Sequence, residues 1–216
     1  MSIKPILNDR ALSRRQLLTG ALGAAGVGGA GVAGAGAARL NIARAESFIN
    51  EDGLHVQPWF IQDSFLELAD DAQNAGDNGK HLAVMWELKG CPYCAETHKV
   101  NFKVPEIVDY MKSKFDVLQL NYIGSRLVTD FDGRERSEKE MAGHYGVRFT
   151  PTIQFFPQSA QGLADVKPRA REITRMPGYL KPNHFYAMLR YVGDEAYKTK
   201  SLKAFMDENP VALSGV

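Results

Sequence analysis

The sequence predicts one α/β domain, and three observations predict it. Runs with helical spacing alternate with short apolar runs. One of those runs, His81 to Leu88 ("HLAVMWEL"), is apolar almost throughout, as in a strand buried on both faces of a sheet. The only two cysteines, Cys91 and Cys94, follow that strand directly, too few to staple a fold, so the core must hold it.

Taken in order, residues 46 to 58 read as irregular. Phe60, Phe65, Leu66, Leu68, Ala69 and Ala72 then recur at helical spacing until Gly76, and "AGDNGK" is a loop. After the strand at 81 to 88 come Gly90, the cysteine pair and a helix-compatible stretch from Ala95 to Val100. Pro105 opens a second helix, "PEIVDYMKSKF", because its missing N–H costs nothing in a first helical turn. "FDVLQLNY" is a second strand, parallel to the first through a right-handed crossover.

Asp132-Gly133 between the short arms of "RLVTDFDGRER" signals a hairpin. Ser137 and Glu140 form a capping-box pattern that opens a helix through Tyr145. "PTIQFFP" and "REITRM" are two further strands, Pro177-Gly178 a turn, and "PNHFYAMLRYV" a helix with Phe185, Met188, Leu189 and Val192 on one face. Residues 194 to 208 form a charged, loosely packed helical extension.

The first 45 residues read as an address rather than as fold. Lys4, Arg10, Arg14 and Arg15 precede a Gly- and Ala-rich run, Leu17 to Ala38, and Ala43-Arg44-Ala45 is a small-x-small cleavage site. The stretch from Ser13 to Leu18, "SRRQLL", resembles a bacterial twin-arginine export signal. The competing reading is a retained anchor, for which the Gly/Ala run is poor in large apolar side chains. Removing residues 1 to 45 takes away six basic side chains and one Asp, leaving 20 basic against 24 acidic, a net charge of about −4. No basic stripe or basic patch interleaved with aromatics is present, which argues against nucleic acid as a partner.

Three chemistries use a C-x-x-C pair. A zinc site wants four ligands, and only His98 is close in sequence, with His55, His81, His144 and His184 scattered. A structural disulfide over so short a loop stabilises little. Redox exchange fits the context better: a strand, a glycine, then cysteines at a helix start, where orphan N–H groups and the helix dipole favour thiolate.

"VMWELKGCPYC" resembles the strand-to-helix active-site segment of the thioredoxin superfamily, "YGVRFTPTIQFF" (145 to 156) its cis-proline segment, and "MPGYL" the turn before its last helix. Together these span most of residues 60 to 192, within a domain of 46 to 216. The resemblance implies a thioredoxin-like fold: a central mixed sheet flanked by helices, here with an extra hairpin between the second strand and the following helix. Within the superfamily, the export signal, the C-P-Y-C sequence and the "VTDFDG" hairpin are most similar to the SoxW-type periplasmic thioredoxins of sulfur-oxidising bacteria.

By that resemblance Cys91 attacks and Cys94 resolves, Pro92 shapes the first helical turn, and Tyr93 tunes the potential or contacts substrate. Pro151 is the cis-proline, and Thr150 offers its backbone to an extended substrate. Where thioredoxins carry a buried acid, six residues before the first cysteine, this chain has Met85. Glu87 is read either as a substitute proton relay or as an exposed strand-end carboxylate, His98 either as lying near the site one helical turn after Cys94 or as a solvated surface residue, and Trp86 as core. Lys89 is a candidate for lowering the Cys91 pKa, against a plain exposed lysine.

The implied function is a periplasmic thiol:disulfide oxidoreductase that reduces protein disulfides or a sulfur-carrier cysteine. It would be fed by a membrane electron-donor protein and would serve sulfur-oxidation proteins. No cofactor beyond the Cys91–Cys94 disulfide and no resident metal is expected. The alternatives are a disulfide-forming oxidant, which usually carries an inserted helical domain, and a copper or zinc carrier.

Overall fold

The computed structural model describes residues 48–213. The export signal read at 1 to 45, and the start of the domain at 46, lie outside the described residues. Among the described residues no helix is long and apolar enough to cross a membrane.

A small hairpin, β1 (Phe48–Ile49) and β2 (His55–Val56), opens the described chain, turning at Gly53 with φ +77°. This replaces the irregular segment expected there. The first helix, α1, runs from Leu68 to Asp77, eight residues later than the apolar spacing suggested. The cause is local: Leu66 has φ 61°, in the left-handed region where no helix continues, and Glu67 is extended. Phe65 is 93% exposed, whereas buried Phe60 packs in a different cluster from the one α1 joins.

The central strand β3 (His81–Glu87) is buried at every residue. Helix α2 (Pro92–Lys99) follows, then a 3₁₀ turn at Asn101–Lys103, α3 (Pro105–Lys114) and β4 (Phe115–Asn121), which pairs parallel to β3. The predicted hairpin is present as β5 (Leu127–Thr129) and β6 (Glu135–Ser137), a two-stranded sheet of its own. It is tied to the segment before α1 by Thr129 N–H donating to the Leu66 carbonyl at 2.8 Å. The capping box at Ser137 and Glu140 starts α4 (Glu138–His144).

Strand β7 (Thr152–Phe155) pairs antiparallel to β3, giving a mixed four-stranded sheet in the order β4-β3-β7-β8. A single helical turn, α5 (Pro168–Arg171), occupies the start of the expected fourth strand, since Pro168 is placed to open a helix. Strand β8 therefore spans Thr174–Pro177 rather than 171 to 176.

Helix α6 (Pro182–Gly193) carries the predicted apolar face. Beyond it, a 3₁₀ turn (Ala196–Lys198) and α7 (Leu202–Glu208) are not loosely attached, because Phe205 is buried among the residues of α3 and α6.

Strand alternation sorts the core into two layers. From β3, Leu82, Val84 and Trp86 face α1 and α4, while Ala83 and Met85 face α3 and α6. Trp86 is core as expected, with its indole N–H donating to the Gln154 side chain. Glu87 is next on the Ala83/Met85 face, so the last side chain of the strand points under α2.

Candidate active site

The site is built where β3 runs out. Gly90 turns the chain with φ 75°, a conformation a Cβ would strain, and the Cys91 N–H donates to the Leu88 carbonyl at 3.1 Å. Cys91 is then the N-cap of α2 with Pro92 in the first turn, and the Cys94 N–H donates to Cys91 Sγ at 3.1 Å. The first sulfur sits on the orphan donors of a helix start, the environment that stabilises a thiolate.

The two cysteines form a disulfide with their Cα atoms 5.3 Å apart. Cys94 is 1% exposed and Cys91 9%, so the first cysteine is the more accessible of the pair.

The peptide bond between Thr150 and Pro151 is cis. Cys91 Sγ lies 3.3 Å from the Thr150 carbonyl oxygen and 3.4 Å from the Thr150 hydroxyl. The Pro151 carbonyl accepts from the Gly178 N–H at 2.7 Å, which ties this loop to the turn after β8. Tyr93 is 60% exposed and stacked on Tyr179, and Phe149 is exposed on the chain just before Thr150. Cys91, Cys94, Pro92, Tyr93, Thr150 and Pro151 are thus brought together.

Glu87 departs from the exposed alternative: it is fully buried, and so is His98. His98 Nε2 is 2.9 Å from Glu87 Oε1, and the Gln119 amide donates to Glu87 Oε2 at 2.6 Å. Gln57 Nε2 is 3.0 Å from His98 Nδ1. Phe60, Phe102 and the ring of His55 enclose the imidazole. Burial, followed by the neighbouring His98, holds His55 below the usual histidine range, against the opposing pull of Glu87. Lys89 is exposed, its methylenes against the turn at Gly53. Met85 is core.

Sequence reasoning missed Gln57 and Gln119, which no local pattern marks. It also missed a second buried network behind the hairpin. Asp130 accepts from Arg171 at 2.7 Å and from the Tyr145 hydroxyl at 2.6 Å, with His144 Nε2 3.3 Å away. Burial first, then the bond to Asp130, raises Tyr145 above its ordinary range. Asp130, Asp132 and His144 bring three possible ligand atoms within 4.8 Å of one another, but Arg171 occupies the shared carboxylate as its counter-ion.

Residues 68–193, more than half of the chain, match the family model described as a thioredoxin-like domain. The chain belongs to the thioredoxin-like family. Among solved structures, a thioredoxin-fold protein from Helicobacter pylori is 26% identical with a TM-score of 0.50, covering 61% of this chain and 84% of that one. A thioredoxin from Thermus thermophilus is 21% identical (TM-score 0.42, covering 57% and 81%). The periplasmic thioredoxin SoxS from Paracoccus pantotrophus is 19% identical (TM-score 0.34, covering 54% and 99%). No curated protein matches the chain. Family membership and the paired cysteines define a thiol:disulfide oxidoreductase whose substrate class is protein thiols and disulfides.

The Asp130 network yields a stability test. Asp130→Ala takes the nearest counter-ion from a buried guanidinium, leaving it the carbonyls of Leu163, Val166 and Ala164, the Tyr145 hydroxyl at 3.4 Å and the Asp132 carboxylate at 3.6 Å. Urea unfolding should show a loss of about 3 kcal/mol. A loss below about 0.5 kcal/mol would mean the network does not anchor the hairpin.

Proposed function

We propose that this protein is an exported reductant of protein disulfides, with Cys91 as the attacking sulfur and Cys94 as the resolving one. The observation that carries the reading is Cys91 Sγ at the N-cap of α2, beside the backbone and hydroxyl of Thr150. In the reduced protein the Cys91 thiolate attacks one sulfur of a substrate disulfide. The substrate's own S–S bond breaks, its other sulfur leaves as thiolate and takes up a proton. Cys94 gives up its proton and attacks Cys91, forming the Cys91–Cys94 disulfide and releasing the second substrate thiol. Two electrons have moved to the substrate, and an external dithiol must return them.

The roles of the remaining residues follow from their places. Thr150, held beside the sulfur by the cis Pro151, offers backbone on which an extended substrate segment can pair. Pro92 fixes the first turn of α2, and Tyr93 with Tyr179 gives the substrate an exposed aromatic floor. No cofactor beyond the disulfide is required. The carrier alternative would appear as tight, stoichiometric Cu(I) retention without disulfide reductase activity. The oxidant alternative finds no inserted helical domain among the described residues, where 101 to 150 hold α3, β4, the hairpin and α4.

The twin-arginine pattern at Arg14 and Arg15 supports export to the periplasm, where a membrane electron-donor protein would re-reduce the pair. The C-P-Y-C sequence and the hairpin support the SoxW-type assignment, with a sulfur-carrier cysteine or another sulfur-oxidation protein as substrate.

With an external dithiol present, Cys91→Ser should reduce insulin disulfides no faster than buffer. Cys94→Ser should accumulate a mixed disulfide with substrate that a thiol reagent releases. Trapping through Cys94 in the Cys91→Ser protein instead would reverse the two roles. Changing Arg14 and Arg15 together to lysine should leave the protein inside the bacterial cell, and unimpaired export would remove the twin-arginine reading.

A further inference from the structure

Beneath α2, the exchange chemistry leaves a buried acid and imidazole without a task. Glu87 and His98 are hydrogen-bond partners with fully buried side chains. Each oxygen of Glu87 faces a nitrogen: Gln119 Nε2 can only donate, and His98 Nε2 is placed to donate, so the carboxyl group is the acceptor. That leaves His98 Nδ1 as the one position of the pair where a proton can be gained.

Gln57 suits both states of that nitrogen. Its Nε2 faces Nδ1, while its Oε1 is buried with no partner. Nε2 donates to a bare Nδ1. A half-turn of the same amide presents Oε1, which is what a protonated Nδ1 needs. Nδ1 therefore has a partner in either charge state, the other end of the Gln57 amide being the group without one each time.

The pair also stands in the right place. His98 is four residues after Cys94, one helical turn away on the same face of α2, in the last turn of the helix where a cation is favoured. The titratable groups around it are Glu87 from β3, His55 from β2, Cys94 from its own helix and the exposed Lys99 next in the chain. Phe60 and Phe102 fill the remaining contacts and exclude water. Charge created at the cysteines is thus poorly screened from His98.

We propose that His98, oriented by Glu87, takes up a proton when the Cys91–Cys94 disulfide is reduced and releases it when the disulfide re-forms. A donor dithiol loses two electrons and two protons as its own disulfide closes. The electrons break the Cys91–Cys94 bond, one proton goes to Cys94, and Cys91 stays a thiolate at the helix start. The second proton goes to His98, whose positive charge balances the new negative one. The proposal rests on the redox role proposed for the cysteines. His98 is a positioning residue: it carries charge one helical turn from Cys94 and touches no substrate.

The test is NMR of the full chain with isotope-labelled histidine, oxidised and reduced, across the pH range in which it stays folded. The His98 ring should be protonated to a higher pH in the reduced form than in the oxidised form. Proton uptake per two electrons, read from the pH dependence of the reduction potential, should exceed that of His98→Gln over the same interval. A His98 ring in the same protonation state in both forms at every pH would overturn the proposal, and so would equal proton uptake in the two proteins. If His98→Gln fails to fold, the spectra of the unaltered chain decide. Neither readout depends on which cysteine attacks, so reversed roles for Cys91 and Cys94 leave this test intact.

Discussion

The site depends on the burial of β3 on both faces. Leu82, Val84 and Trp86 are sealed against one helical layer, Ala83 and Met85 against the other, and β4 and β7 hold its edges. Full burial leaves the strand no freedom to slip, because a shift of one residue would exchange the two faces and carry Glu87 out from under α2. The place where the strand ends, and therefore where α2 begins, is fixed by the core. Cys91 receives the helix start from that geometry, and β7, pairing beside β3, starts just after Pro151 and brings Thr150 to the sulfur.

The same constraint explains why two kinds of charge meet around α2. Its first turn offers N–H groups that favour negative charge on Cys91, and its last turn favours positive charge on His98. Glu87, delivered from below by β3, pairs with the second of these. A helix of eight residues thus joins a nucleophile at one end to a buried imidazole hydrogen-bonded to an acid at the other. Met85, six residues before Cys91, is core, and the acid of this strand, Glu87, lies buried two residues further along the same face.

What was legible in the sequence was what is encoded locally. The apolar run of β3, the Asp132-Gly133 turn, the Ser137/Glu140 box and the C-x-x-C pair each sit in a few consecutive residues, and each was found where it was read. The landmark around Thr150-Pro151 was legible through family resemblance, since nothing local distinguishes a cis proline. The start of α1 was not legible: Phe60 and Phe65 fit a helical spacing by chance, and only the left-handed backbone at Leu66 breaks it. Which reading of Glu87 and His98 holds was not legible, because their partners, Gln57 just after β2 and Gln119 in β4, arrive by tertiary contact. The bond between Asp130 and Arg171, 41 residues apart, escaped for the same reason.

The central claim is that β3 delivers Cys91 and Cys94 as a working redox couple poised to reduce. Its most direct test is the reduction potential of the full chain, read by equilibration in graded thiol/disulfide buffers and alkylation of the free thiols. The account predicts that both thiols appear together in one two-electron transition near the roughly −270 mV of a reducing thioredoxin. A midpoint near about −120 mV would reverse the direction of electron flow, and thiols that stay free in every buffer would contradict the account outright.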